Sequence, residues 1–124
     1  MKNLLITLCL ILSVSLFSCN KEQMMIGQWE IYKLQKPNGQ LIEKRKKYII
    51  FSKDGRMHGG RIGKEPNKHG QWQYNKKDDK LIFQSESRNK DDGDYKVEKL
   101  TRNEMILLRG PMRIYMEKVM KVHL

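Results

Sequence analysis

The chain has 124 residues, with 25 lysines and arginines against 14 acidic residues, two cysteines, eight methionines and no alanine. That length suits one small domain, and the composition excludes collagen-like, coiled-coil and polytopic membrane proteins. With the best helix former absent and Ile, Tyr, Phe, Trp, Thr and Val at most patterned apolar positions, an all-helical fold is disfavoured.

Met1, Lys2 and Asn3 give a short positive start, followed by an apolar run over residues 4–17 interrupted by Thr7, Cys9, Ser13 and Ser15. This is the layout of an export signal. A spanning helix needs about 20 apolar residues, and polar Asn20, Lys21, Glu22 and Gln23 follow at once, so removal is favoured over a retained anchor. The run ends in Leu16, Phe17, Ser18 and Cys19, which resembles the lipobox of bacterial lipoproteins. The resemblance implies that residues 1–18 are a lipoprotein signal peptide, that Cys19 becomes the acylated first residue, and that residues 19–25 form a tether to a domain over residues 26–124. Several acyl chains would hold such a protein on a membrane, since each buried methylene adds about 0.8 kcal/mol. Asn20 is not the acidic residue that retains some inner-membrane lipoproteins, which points to the outer membrane. Cys9 departs with the leader, so no cysteine besides Cys19 remains for a disulfide, a metal or a nucleophile.

Beyond the tether the chain reads as short apolar stretches separated by turn signals. The expected strands are residues 27–34, 47–51, 56–62, 70–74, 81–85, 94–101, 105–109 and 112–119. Pro37, Asn38 and Gly39 close the first, and Ser52, Lys53, Asp54 and Gly55 give a hairpin signal after the second. Residues 64–69 read as a loop, Asp91, Asp92 and Gly93 as a turn, and Gly110 and Pro111 as a break. The tail after Val119 alternates apolar and polar residues, which either extends the last strand or frays.

No link is long enough for a crossover helix, so the strands pair antiparallel. Eight sequential strands without covering helices remove their exposed edges by curling closed, and the expected fold is all-β, a small up-and-down eight-stranded barrel. A flatter sandwich or open sheet is the alternative.

Gly27, Gln28 and Trp29 match the Gly-x-Trp that opens the first strand of lipocalins and related calycin barrels. Residues 49–55 then read Ile-Ile-Phe-Ser-Lys-Asp-Gly, followed by Gly70, Gln71, Trp72 and Leu81, Ile82, Phe83. The order resembles the small lipocalin-like domains of bacterial envelope lipoproteins, over about residues 26–119. The resemblance implies a barrel floor where Gly27 and Trp29 lie beneath an arginine of the last strand, which by position is Arg113, with Arg109 second.

Alternation gives an inward set of Trp29, Ile31, Ile49, Phe51, Trp72, Tyr74, Leu81, Phe83, Tyr95, Val97, Ile106, Leu108, Ile114 and Met116. Within it, Ile31, Phe51, Trp72, Tyr74, Phe83, Tyr95, Leu108 and Met116 are candidates to line an adaptable apolar site for a small hydrophobic or amphiphilic ligand. An ordinary packed core fits the same residues, because small barrels are just wide enough for side chains to fill.

Removing the leader leaves 24 basic minus 14 acidic residues, a formal +10. Lys44, Arg45, Lys46, Lys76 and Lys77 are the candidate partner surface, suited to an anionic headgroup or envelope polymer, or to an acidic protein. Solubility explains the same lysines. Export makes nucleic acid an unexpected partner. His58, His69 and His123 lack close metal-ligand spacing, and residues 91–94 lack the ligands of a calcium loop, so no metal or other cofactor is expected. No catalytic motif appears, so the chain is not expected to be an enzyme. Two functions remain: an outer-membrane lipoprotein taking up an amphiphilic anion, or a filled barrel that grips an acidic partner as an inhibitor, an immunity protein or a complex subunit.

Overall fold

The structure is a computed structural model that describes residues 20–120. The apolar leader, Cys19 and His123 lie outside the described residues. Eight strands follow a short helix, α1 (Asn20–Met25): β1 (Gly27–Gln35), β2 (Leu41–Phe51), β3 (Arg56–Arg61), β4 (Lys68–Asn75), β5 (Lys80–Ser85), β6 (Gly93–Leu100), β7 (Glu104–Arg109) and β8 (Met112–Lys118). They pair in sequence order and close into a barrel through β1 and β8. Every pair is antiparallel, as short links require. No helix of the described residues is long and apolar enough to cross a membrane.

The turns are built by the residues that signal them. The Gly39 amide donates to the Lys36 carbonyl at 2.9 Å. In the next hairpin the Gly55 amide donates to the Ser52 carbonyl at 3.1 Å, and the Asp54 carboxylate accepts the Arg56 amide at 3.1 Å. Gly110 and Pro111 make a two-residue hairpin between β7 and β8, with Gly110 at φ 57°. Glycine first and a φ-locked proline second is the pattern of a type II′ turn, whose twist matches the strands it joins.

That turn sets the phase of β7. Arg109 pairs with Met112, so Leu107 falls opposite Ile114 and Met105 opposite Met116. Met105 and Leu107 therefore face inward and are buried. Ile106 and Leu108, expected inside, lie on the outer wall and are half-buried. Four consecutive apolar residues, 105–108, carry no alternation of their own to fix which two point in. The rest of the inward set lies in the core or packs against it, joined by Met25, Met57, Leu34, Leu100 and Met112.

Besides Lys68 and His69, read as loop but found at the start of β4, two longer stretches depart from the sequence reading. Strand β2 begins at Leu41, six residues before the expected start at Lys47. Ile31 pairs with Lys47 and Lys33 with Glu43, so three residues of β2, 44–46, stand against one of β1 in an enlarged bulge. The second departure is the tether: residues 20–25 are helical and Met25 is fully buried, so the folded unit begins before residue 26.

Candidate functional site

The two ends of the barrel differ. One end gathers α1, the start of β1, the end of β8 and the turns after β2, β4 and β6. It is closed. Met25 enters the core, the Trp29 indole N–H donates to the Met25 carbonyl at 2.9 Å, and Lys118 Nζ donates to the Met24 carbonyl at 2.8 Å. These bonds satisfy carbonyls that the end of a helix leaves without intrahelical partners. Lys21 adds an ion pair to Asp79 at 3.3 Å, and Asp79 also accepts the Tyr74 hydroxyl. Burial, with that bond to Asp79 second, pushes the Tyr74 phenol up to about 12.

A cation does sit over Trp29, but it is Lys118, with Nζ 5.1 Å from the ring centroid. Trp29 and Lys118 are register partners across the closing seam. Burial lowers the pKa of this lysine. Gly27 has φ 133°, a conformation that side-chain-bearing residues rarely adopt, and a Cβ there would stand 2.9 Å from Lys118 Cε and displace the end of that side chain. Arg113, expected in this role, pairs with Gln35 at the far end of β1 and points outward, where it donates to Glu98 at 2.7 Å and Gln35 at 2.9 Å. Its odd-even position on β8, opposite Leu108, excludes it from the interior.

The other end is the mouth. Phe83 and Tyr95 stack with centroids 4.9 Å apart and planes 8° from parallel. Arg109, the last residue of β7 and in phase with inward Leu107, lies over the Tyr95 ring at 5.3 Å. It donates to the Tyr95 hydroxyl at 2.9 Å and to the Lys90 carbonyl at 2.8 Å. The Tyr95 hydroxyl in turn donates to the Asp91 carbonyl at 2.6 Å. Burial raises the Tyr95 pKa, and the bond from Arg109 opposes that shift.

Residues 86–92 join β5 to β6 at this end and contact β4, β6 and β7. The loop is pinned at several points. Ser85 Oγ donates to Asp92 at 2.7 Å, the Asn89 amide to Asp92 at 3.2 Å, and Lys68 pairs with Asp91 at 3.7 Å. Desolvation alone would raise the Asp92 carboxyl. The bonds from the Ser85 side chain and from the Ser85 and Asn89 backbones, with the Lys68 charge, outweigh it and hold the group below the usual range.

Other expected site residues divide between the ends. Phe51 and Trp72 meet near the floor at 5.2 Å, where the Trp72 indole donates to the Ser52 carbonyl at 2.8 Å. Tyr74 is at the floor, Ile31 and Met116 are register partners on the inner wall, and Leu108 is outside. Lys76 and Lys77 are exposed in the turn at the closed end, and Lys44, Arg45 and Lys46 occupy the β2 bulge. Arg45 is committed to Glu117 at 2.8 Å and Glu30 at 3.7 Å. The sequence offers Arg109 only as the second candidate for the floor, after Arg113, and gives no sign of Lys118 there. The type II′ hairpin was the available signal for Arg109, and counting back from it places that residue at a mouth.

Among solved structures the fold resembles a lipocalin-like protein from Bacteroides uniformis ATCC 8492, with a TM-score of 0.65 and 17% identity over 77% of this chain and 99% of that one. An uncharacterized protein from Bacteroides eggerthii DSM 20697 matches equally, with a TM-score of 0.65, 18% identity and the same coverage. No known protein family and no curated protein matches the sequence. The barrel is lipocalin-like in fold.

Proposed function

We propose that the chain is a membrane-tethered binding protein that takes the apolar part of an amphiphilic anion at the barrel mouth, beneath the loop of residues 86–92. The observation that carries this reading is Arg109. Its guanidinium stands at the rim of an apolar, aromatic interior, its hydrogen bonds go to a carbonyl and a phenol, and none of the ion pairs among the described residues includes it. A cation so placed is a hydrogen-bond donor for an anionic head whose tail lies against Phe83, Tyr95 and Met112. Opening the loop is part of the mechanism, since Lys90 and Asp91 occupy the hydrogen bonds that a ligand would replace.

The test compares a long-chain carboxylate with the alcohol of equal length by intrinsic tryptophan fluorescence and native mass spectrometry. The expected outcome is uptake of the carboxylate in preference to the alcohol, with the preference lost in Arg109→Gln. Absence of uptake, or a preference unchanged in the variant, rejects the reading.

Tethering rests on the lipobox resemblance at Cys19. Helix α1 starts at Asn20 and belongs to the closed end, so acylation of Cys19 sets the floor against the bilayer and turns the mouth away from it. Metabolic palmitate labelling of the wild type, lost in Cys19→Ser, is the expected result; equal labelling of both refutes it.

A second reading has its own support. The largest side chains, Trp29, Tyr95 and Phe51 among them, are fully buried, which suits a filled scaffold that grips an acidic partner by its basic turns. Capture of a stoichiometric partner, released by salt and lost in Lys76→Glu with Lys77→Glu, favours this second function.

A further inference from the structure

We infer that His58 and His69 form a two-imidazole site for a late first-row divalent cation on the outer wall of the barrel. Eleven positions apart in sequence, they are direct partners in the β3–β4 register. Both are in phase with outward residues: their neighbours Met57 and Gly70 are buried, and His58 and His69 are not. Their Nδ1 atoms face each other at 2.7 Å, and the rings meet edge to face with centroids 5.0 Å apart.

The spacing is close to that of a chelate. With metal–nitrogen bonds of about 2.0–2.1 Å and the right to tetrahedral angles usual at such centres, two coordinating nitrogens stand about 2.9–3.4 Å apart. A separation of 2.7 Å therefore needs to open by about 0.2–0.7 Å, with the rings turning so that both lone pairs converge on the cation. Without metal the contact is a hydrogen bond, in which one ring carries the proton on Nδ1 and the other accepts. On metal binding the donor ring takes the other neutral tautomer, with the proton on Nε2. Both Nδ1 lone pairs then reach the cation, and no redox change or net proton loss is involved.

The surroundings leave coordination positions open. On the far side of His58 stands Ile50 of β2, and along the strands the next outward pair is Arg56 with Gln71. No group of three or more His, Cys, Asp or Glu side chains among the described residues is arranged to hold a metal, so water completes the shell. Imidazole donors with open positions suit Zn²⁺, Ni²⁺ or Cu²⁺ and are poorly matched to Mg²⁺ or Ca²⁺. The backbone links this pair to the mouth end, because the His69 carbonyl accepts the amide of Glu86, the first residue of the loop between β5 and β6, at 2.8 Å.

The test is a Zn²⁺ titration of the untagged chain in a non-coordinating buffer, with affinity read by chelator competition and the ligands by NMR of the imidazole rings. One Zn²⁺ per chain is expected, with shifts at His58 and His69. His58→Ala and His69→Ala should each weaken binding by about tenfold or more, because each removes the second arm of a chelate. His123→Ala should change it less than about twofold. Circular dichroism confirms that each variant is folded, and both substitutions lie on the outer wall. Wild-type affinity in either single variant, binding lost only in His123→Ala, or wild-type dissociation constants weaker than on the order of 1 mM overturn the assignment.

Discussion

Replacing Met25 by alanine tests whether α1 is part of the barrel. Met25 is the residue before the turn into β1, and it is 0% exposed among Trp29, Phe51 and the other floor side chains. The substitution deletes three heavy atoms from a site whose walls are strand residues held in their ladders, so little collapse into the space is available. Met-to-Ala changes of this kind cost about 2–5 kcal/mol, and the rigidity of the floor places this one near about 3 kcal/mol. For a domain of this size each kcal/mol moves Tm by about 4–8 °C, so a fall of about 12–24 °C is expected in differential scanning calorimetry. Met120, 69% exposed, provides the control. Met120→Ala should stay within about 0.5 kcal/mol of wild type. If Met25→Ala unfolds alongside that control, the helix is a tether and the floor argument is wrong.

The phase of β7 is tested by Leu107→Ala, expected to cost about 2–5 kcal/mol, against Leu108→Ala, expected to cost under about 1 kcal/mol; equal urea midpoints refute the inward assignment of Leu107. For Tyr74 the folded pKa is raised to about 12, so the neutral phenol's contribution to stability is complete below 10 and lost as pH rises through the folded value. Absorbance titration should show a tyrosinate step near 12 that is absent in Tyr74→Phe, and superimposable curves count against it. Asp92 has the opposite sign: its folded pKa lies below 3.8, so its hold on residues 86–92 is present above that pH and lost as acid protonates it. NMR titration of the Ser85 and Asn89 amides should give a midpoint below 3.8, and a midpoint at or above that value rejects the proposed pinning.

Much of the barrel was legible because its connections are short and chemically explicit. Pro37, Asn38 and Gly39, or Ser52 to Gly55, dictate reversal locally, and alternation such as Trp72 with Tyr74 then fixes which face turns inward. Legibility failed where local signals were silent. The charged residues 43–47 have little strand preference, yet they lie in β2 because β1 offers a backbone edge and the bulge absorbs the mismatch. Residues 105–108 are uniformly apolar, and their phase is decided by the hairpin beyond them. In α1, Met25 gains its place by closing the floor of the barrel, a tertiary fact.

The functional residues were harder to read because their roles depend on which end of the barrel they reach. The lipocalin resemblance implies an arginine over Trp29, Arg113 first and Arg109 second, and Lys118 lies near the same chain end without matching that description. Strand phase and height separate them. Arg113 is outward and pairs with Gln35, Arg109 is inward at the mouth, and Lys118 is at the floor. The His58–His69 pair shows the same dependence, since its nitrogens meet only if the β3–β4 register is the one observed. Slipping that register by one residue would turn one histidine to the opposite face from the other. A chelate there reports on strand pairing as well as on metal, and Zn²⁺ affinity lost together with the His58–His69 ring contact would tie both to the same register.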